Sequence, residues 1–163
     1  MVNKMTRLFC IIVAVFIGGT VPLSVLADDL KKASAIARHG VRFQSERLKI
    51  AAENIANEDS TGAAPGADAY RRKVIFAENR YNKKLGTNVI KTKKVDVDNS
   101  DFIMKFDPHH PAANAEGYVK YPNIIREIER ADAAEAQRGY EANLSIMEVT
   151  GSLTQKTIEA IGR

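Results

Sequence analysis

Apolar and small residues recur at spacings of three and four along Leu30, Ala33, Ala37, Gly40, Gln44, Leu48, Ala51 and Ile55. That spacing puts them on one stripe of a helix, and Ile36, Val41 and Ala52 widen it. Lys31, Arg38, Arg42, Glu46, Lys49 and Glu53 fall mainly off the stripe. The pattern predicts a helix from about Asp28 to Asn57, stopped by Ser60-Thr61-Gly62 and Pro65-Gly66. From Tyr70 the period changes to two. Tyr70, Arg72, Val74 and Phe76 alternate with their neighbours as a strand, and Val89–Val97, Phe102–Phe106 and Gly117–Tyr121 are further candidates. Gly86, Asn99-Ser100 and the stretch from Pro108 to Asn114 supply the turns, and strands so few and short can make only a small sheet.

Asn123, just after Pro122, is placed to cap a second long helix running to about Ile161. This helix carries two adjacent stripes. One is Ala133, Tyr140, Leu144, Met147, Gly151, Thr154, Ile158 and Ile161; the other is Ala142, Ile146, Val149, Leu153 and Ala160. Together they are wider than a two-helix seam needs, so the helix wants more than one partner. The expected fold is mainly α with a small β insert. Long N- and C-terminal helices pack as a coiled-coil-like pair, and a small antiparallel β domain lies between them. The expected divisions are residues 1–27, 28–57, 58–122 and 123–163. A monomer of this kind would expose a contiguous apolar strip, which predicts assembly.

Ahead of the first helix, Lys4 and Arg7 precede an apolar run from Leu8 to Leu26, broken by Gly18-Gly19 and Pro22. Residues 1–27 therefore read as a secretory signal ending near Val25-Leu26-Ala27, or as a membrane anchor. A start of translation downstream of the run is the third reading.

Composition sharpens this picture in two ways. The 163 residues include no Trp, and only 7% are aromatic, which leaves few large anchors for a globular core and suits long helices packed through small residues. The net charge of +4 is spread over separated groups, Arg71–Lys73, Lys83–Lys84 and Lys91–Lys94, and no zinc-finger or RNA-binding pattern accompanies them, which argues against nucleic acid as a partner. The lone Cys10 cannot pair within the chain. Asp107, His109, His110 and Glu116 are the best metal-ligand candidates, but adjacent histidines in a Pro-bounded turn point apart. The run from Asp96 to Asp101 lacks the glycine of a calcium loop. No nucleophile elbow, phosphate loop or HExxH helix occurs, so neither an enzyme, a cofactor, a metal site nor a small-molecule substrate is expected.

Glu53-Asn54-Ile55-Ala56-Asn57, at the end of the first helix, resembles the signature shared by flagellar axial proteins, the rod, hook and hook-associated subunits. Arg138-Gly139-Tyr140-Glu141-Ala142-Asn143 is similar to their second shared motif, on the terminal helix. Between these, Gly66 to Lys73, Asp107 to Ala113, Glu116 to Val119 and Tyr121 to Asn123 resemble a proximal-rod member of the family. The resemblance spans about Ala33 to Ile161.

It implies a bacterial structural subunit, exported through the flagellar type III apparatus, that polymerises helically into the rod crossing the periplasm. The partners implied are other copies of itself and the rod subunits FlgB, FlgF and FliE. The terminal helices would line the central channel, with Leu48, Ala51, Asn54, Ile55, Ala56, Asn57, Tyr140, Ala142, Asn143, Leu144 and Met147 at subunit interfaces. Two features depart from the family pattern: the extra segment from Met1 to Leu26, and Arg38-His39 in a stretch that is usually small and apolar. The competing expectation is a secreted or membrane-anchored periplasmic binding module that uses the same fold.

Overall fold

A computed structural model describes residues 23–161. The elements are α1 (Leu23–Ala56), β1 (Lys73–Asn82), β2 (Thr87–Val97), β3 (Ile103–Phe106), β4 (Tyr118–Tyr121) and α2 (Arg126–Ile161). The chain is thus two long helices with small antiparallel β structure between them. The signal-like or anchor-like reading of residues 1–27 falls almost wholly outside the described residues. Among those described, no helix is long and apolar enough to cross a membrane.

α1 begins five residues before the expected Asp28 and stops at Ala56. Its end is closed by Asn57, whose Nδ2 donates to the Glu53 carbonyl at 2.7 Å while its Oδ1 accepts from the Ser60 hydroxyl. The same carbonyl accepts the Asn57 backbone N–H at 3.2 Å, so this residue closes the last turn twice over. α2 begins at Arg126, three residues after the predicted cap. Asn123 is no cap at all: its Oδ1 accepts the Arg72 N–H, and its Nδ2 donates to Asp98 O and Ser100 Oγ. The helix start instead carries Glu127 and Glu129 in its first turn, where negative charge suits the free N–H groups.

The β structure is two separate two-stranded ladders, where the sequence suggested one small sheet. β1 and β2 are ten and eleven residues long, more than the pattern indicated, and pair from Lys73↔Val97 to Asn82↔Thr87. A bulge between Phe76 and Ala77 interrupts their register. The tip is closed by the Asn82 side chain, which accepts the Lys84 N–H, and by Gly86 at φ 66°, a left-handed conformation that suits glycine. β3 and β4 pair from Ile103↔Tyr121 to Phe106↔Tyr118.

α1 and α2 run antiparallel, as their cross-contacts require: Gly40 faces Asn143, Gln44 faces Gly139, Arg47 bridges to Asp132, and Asn54 reaches Glu129. The β1–β2 hairpin lies back along α1. Its root, Lys73, sits at Asn54; Thr92 bonds Glu46; and Lys91 shares a shallow cavity with His39 and Arg42. The β3–β4 ladder packs on neither helix and is held through loops, by Gly66 N–H to Ala112 O and by Lys120 to Asp68.

Candidate functional site

The buried apolar side chains are mostly small. Ala37, Ala51, Ala69, Ala112 and Ala136 are joined by only a few larger ones, Phe43, Val89, Val119 and Ile124. In α2 the residues turned inward recur every seven: Glu129, Ala136 and Thr150 are buried, and Asn143 between them is half-buried. Opposite them in α1 lie Ala37, Gly40 and Ala51, all buried. Two glycines stand at the crossing. A Cβ on Gly40 would come within 2.3 Å of Asn143 Oδ1, and one on Gly139 within 2.7 Å of Gln44 Nε2. Small side chains thus let the two helices approach closely, and small residues fill the seam.

This seam differs from the expected one by about a quarter-turn of α2. Both predicted stripes flank the buried line. On one flank Ala142, Ile146, Val149, Leu153 and Ala160 are exposed, Val149 at 57%. On the other flank Tyr140, Leu144 and Met147 are half-buried, while Gly151 and Ile158 are exposed. Among the described residues, nothing outside its own helical turn lies within 4 Å of where a Gly151 Cβ would stand. Ile146, Val149, Leu153 and Ile158 of α2 therefore face outward.

Where α1 ends, a polar cluster ties both helices to the hairpin. Asn54 is fully buried, and its amide is used completely. Oδ1 accepts the Lys73 N–H at 2.9 Å and the Tyr70 hydroxyl at 3.3 Å; Nδ2 donates to Lys73 O and to Glu129 Oε2, each at 2.9 Å. The side chain extends the β ladder by one rung across to the helix. Glu129, 1% exposed, takes its second bond from Arg72 Nε at 2.6 Å. Lys73 Nζ reaches Glu53 Oε2 at 3.0 Å, and this bond holds the Glu53 carboxyl below its usual range. Arg126 pairs with Glu58 beside it. Among the described residues no buried side-chain donor or acceptor is left unpaired.

The residues expected at subunit interfaces divide by exposure. Ala51 and Asn54 are buried within their own chain; Leu48, Ile55, Asn57, Tyr140, Asn143, Leu144 and Met147 are half-buried; Ala56 and Ala142 are exposed. Arg72, Asn123 and Glu129 complete the polar cluster and were not anticipated, although Glu129 stands seven residues before Ala136 on the inward line. Asp107, His109, His110 and Glu116 form an ordinary turn region: His110 Nδ1 accepts the Ala112 N–H at 3.1 Å, and His109 is exposed. No group of three metal-ligating side chains comes together among the described residues.

A helical hairpin with a small-residue seam, a rigidly pinned β arm and outward apolar flanks is the architecture of an assembly subunit. No family model matches the chain. It is, however, 46% identical over 134 residues to the flagellar basal-body rod protein FlgC of Agrobacterium fabrum, covering 82% of this chain and 96% of that protein. It is 33% identical over 139 residues to the protein of the same name from Bacillus subtilis (76% and 93%). With that of Escherichia coli O6:H1 it shares 32% over 123 residues (76% and 91%). The chain belongs to the flagellar basal-body rod protein FlgC family.

Proposed function

We propose that this chain, a structural subunit of the flagellar basal-body rod, polymerises helically through its two terminal helices and builds the proximal rod, which serves as drive shaft and export channel. The observation that carries this reading is the inverted use of side-chain size in α2. Ala136, Asn143 and Thr150 meet α1, while Ile146, Val149, Leu153 and Ile158 face out. Burying one such side chain is worth about 1.5–3 kcal/mol, so a strip of them left uncovered favours neighbouring subunits. The helix pair is read as coiled-coil-like, with its flanks completed by other copies and by the rod subunits FlgB, FlgF and FliE.

Asn54 then acts in assembly indirectly, by fixing the β arm at one angle to the helices. The half-buried Leu48, Ile55, Asn57, Tyr140, Asn143, Leu144 and Met147, with the exposed Ala56 and Ala142, form the margin where neighbours meet the seam. The role is structural, with no catalytic step and no cofactor; export by the type III apparatus and a place in the periplasmic rod belong to the same reading.

Val149→Asp tests the reading most cleanly, because the side chain already faces solvent. The purified variant is expected to unfold as the wild type does, yet to be missing from isolated basal bodies and to leave cells non-motile. Ile55→Asp and Leu144→Asp are expected to block assembly as well. Normal motility and normal basal-body content in all three variants would reject helix-mediated polymerisation.

A further inference from the structure

The basic groups that are separated in the sequence come together in the fold. Residues 71–94 contain nine of the 24 Lys and Arg and a single acid, Glu78. Lys73, Arg72 and Lys94 are paired, but Arg80, Lys83, Lys84, Lys91 and Lys93 form no ion pair among the described residues. Arg80, Lys83, Lys84 and Lys91 lie toward the free end of the β1–β2 hairpin and line one shallow pocket with Tyr81, while Lys93 stands nearer the root, at the bulge. Arg38 and Arg42, also without an ion pair, sit beside them on α1, and Tyr81 is 61% exposed at the tip. The imidazole of His39 lines the same shallow cavity as Lys91 and Arg42. Burial first, then Lys91, Arg42 and Arg38, hold it below its ordinary range.

The opposite end of the molecule carries more acids than cations, although Lys105, Lys120 and Arg126 also lie there. Where α1 ends and α2 begins, Asp59, Asp101, Asp107, Glu116 and Glu127 likewise form no ion pair among the described residues. Asp59 and Glu127 line one shallow groove with Ile103, Ile125, the paired Glu58 and Arg126, and Lys105. Asp101 follows Ser100, which Arg71 and Asn123 hold at the hairpin root. Phe106, Met104 and Ile125 are exposed nearby. The hairpin runs along α1 from Asn54 back to His39, so the two ends stand roughly 20 Å apart at 1.5 Å per helical residue. At physiological ionic strength charges that far apart are screened over about 8 Å, and the two ends cannot neutralise each other within one subunit.

We infer that the basic end of the β1–β2 hairpin docks on the acidic β3–β4 end of a second copy of this chain, forming a head-to-tail contact along the rod. A contact between two different surfaces of one subunit repeats without closing on itself, as a filament requires. Tyr81 at one end and Phe106 with Ile125 at the other supply the apolar centre, and the charges form the rim that sets register. This contact rests on the helix-mediated polymerisation proposed above but uses neither helix flank, so the two can fail separately.

The test is sedimentation velocity on the full chain at low and high ionic strength. The wild type is expected to self-associate at low ionic strength, with affinity falling roughly tenfold or more when three or so exposed pairs are screened. Lys83→Glu/Lys84→Glu and Asp101→Lys/Glu116→Lys are each expected to remain monomeric alone and to associate when mixed, because the reversed tip then meets a reversed end. That rescue also shows that both variants fold. Wild-type protein that stays monomeric at every ionic strength would overturn the contact, as would variants that associate alone. Association insensitive to salt and abolished only by Val149→Asp would overturn the contact while leaving polymerisation through the helices intact.

Discussion

At the scale of single residues, the polar cluster at Asn54 carries more of the structure than its size suggests. Glu129 is a carboxylate taken almost wholly from water, and its two oxygens are satisfied by Arg72 and Asn54. Arg72→Met is expected to cost about 3 kcal/mol, because it leaves that charge buried without its cation. The double change Arg72→Met/Glu129→Leu is expected to recover much of the loss, since a well-packed apolar pair often equals a buried ion pair. Urea unfolding of the three proteins measures this, and equal stability of the single and double variants would count against it.

His39 sets a second expectation at this scale. Burial disfavours its charged form, Lys91 on the hairpin and Arg42 and Arg38 on its own helix add to this, and among the described residues Glu46 is the acid lining the same cavity. Its folded pKa is lowered below the ordinary 6.5, so the unfolded chain takes up the proton more readily. The stabilisation is fully present above pH 6.5 and is lost as pH falls through the lower folded value. Thermal melts of wild type are therefore expected to fall as pH drops below that point, and to fall less steeply in His39→Gln. Parallel slopes for the two proteins would exclude His39 as the cause.

Elements in this protein are decided by where small residues stand. At the α1–α2 crossing the two glycines are not equivalent. The atoms nearest a Cβ on Gly40 are the branched end of Asn143, whose Nδ2 is tied to Gly139 O at 2.6 Å. Those nearest a Cβ on Gly139 belong to the longer, freer Gln44. Gly40→Leu is thus expected to push the helices apart at a cost of about 1–3 kcal/mol. Gly139→Ala is expected to be close to neutral, since a shift of Gln44 is offset by about 1 kcal/mol of helix propensity. Chemical denaturation distinguishes them, and equal losses would show that Gln44 is as fixed as Asn143.

For the whole molecule, folding and assembly use different faces of the same helix, and Gly151 separates them. Nothing among the described residues crowds it, and its backbone is helical. Gly151→Leu is expected to leave the isolated subunit as stable as wild type or slightly more so, by up to about 1 kcal/mol from helix propensity. In the assembled rod the same side chain would enter a covered flank, and incorporation into basal bodies is expected to fall. A variant that incorporates normally would show that this flank faces solvent in the rod.

Much of this architecture was legible in the sequence, and the reason is periodicity. Spacings of three and four marked both helices to within a few residues, except at the start of α1. Alternation marked four strands, and Gly86 and Asn57 marked a turn and a helix end, because each rests on backbone geometry local to a few residues. The tertiary structure decided what those stripes touch. The pattern of α2 says that Tyr140, Leu144, Ile146 and Val149 want cover; it does not say whether α1 or another subunit supplies it. The choice fell on Ala136, Asn143 and Thr150, because two helices joined by a tightly pinned β arm approach closely only where side chains are small. In the same way, Asn54 could have bonded a neighbouring chain, and Lys83–Lys84 and Lys91–Lys94 read as scattered charge. Only the hairpin register brought Lys91 to the same end as Arg80, Lys83 and Lys84, and only the fold brought Lys73 and Glu129 within reach of the Asn54 amide.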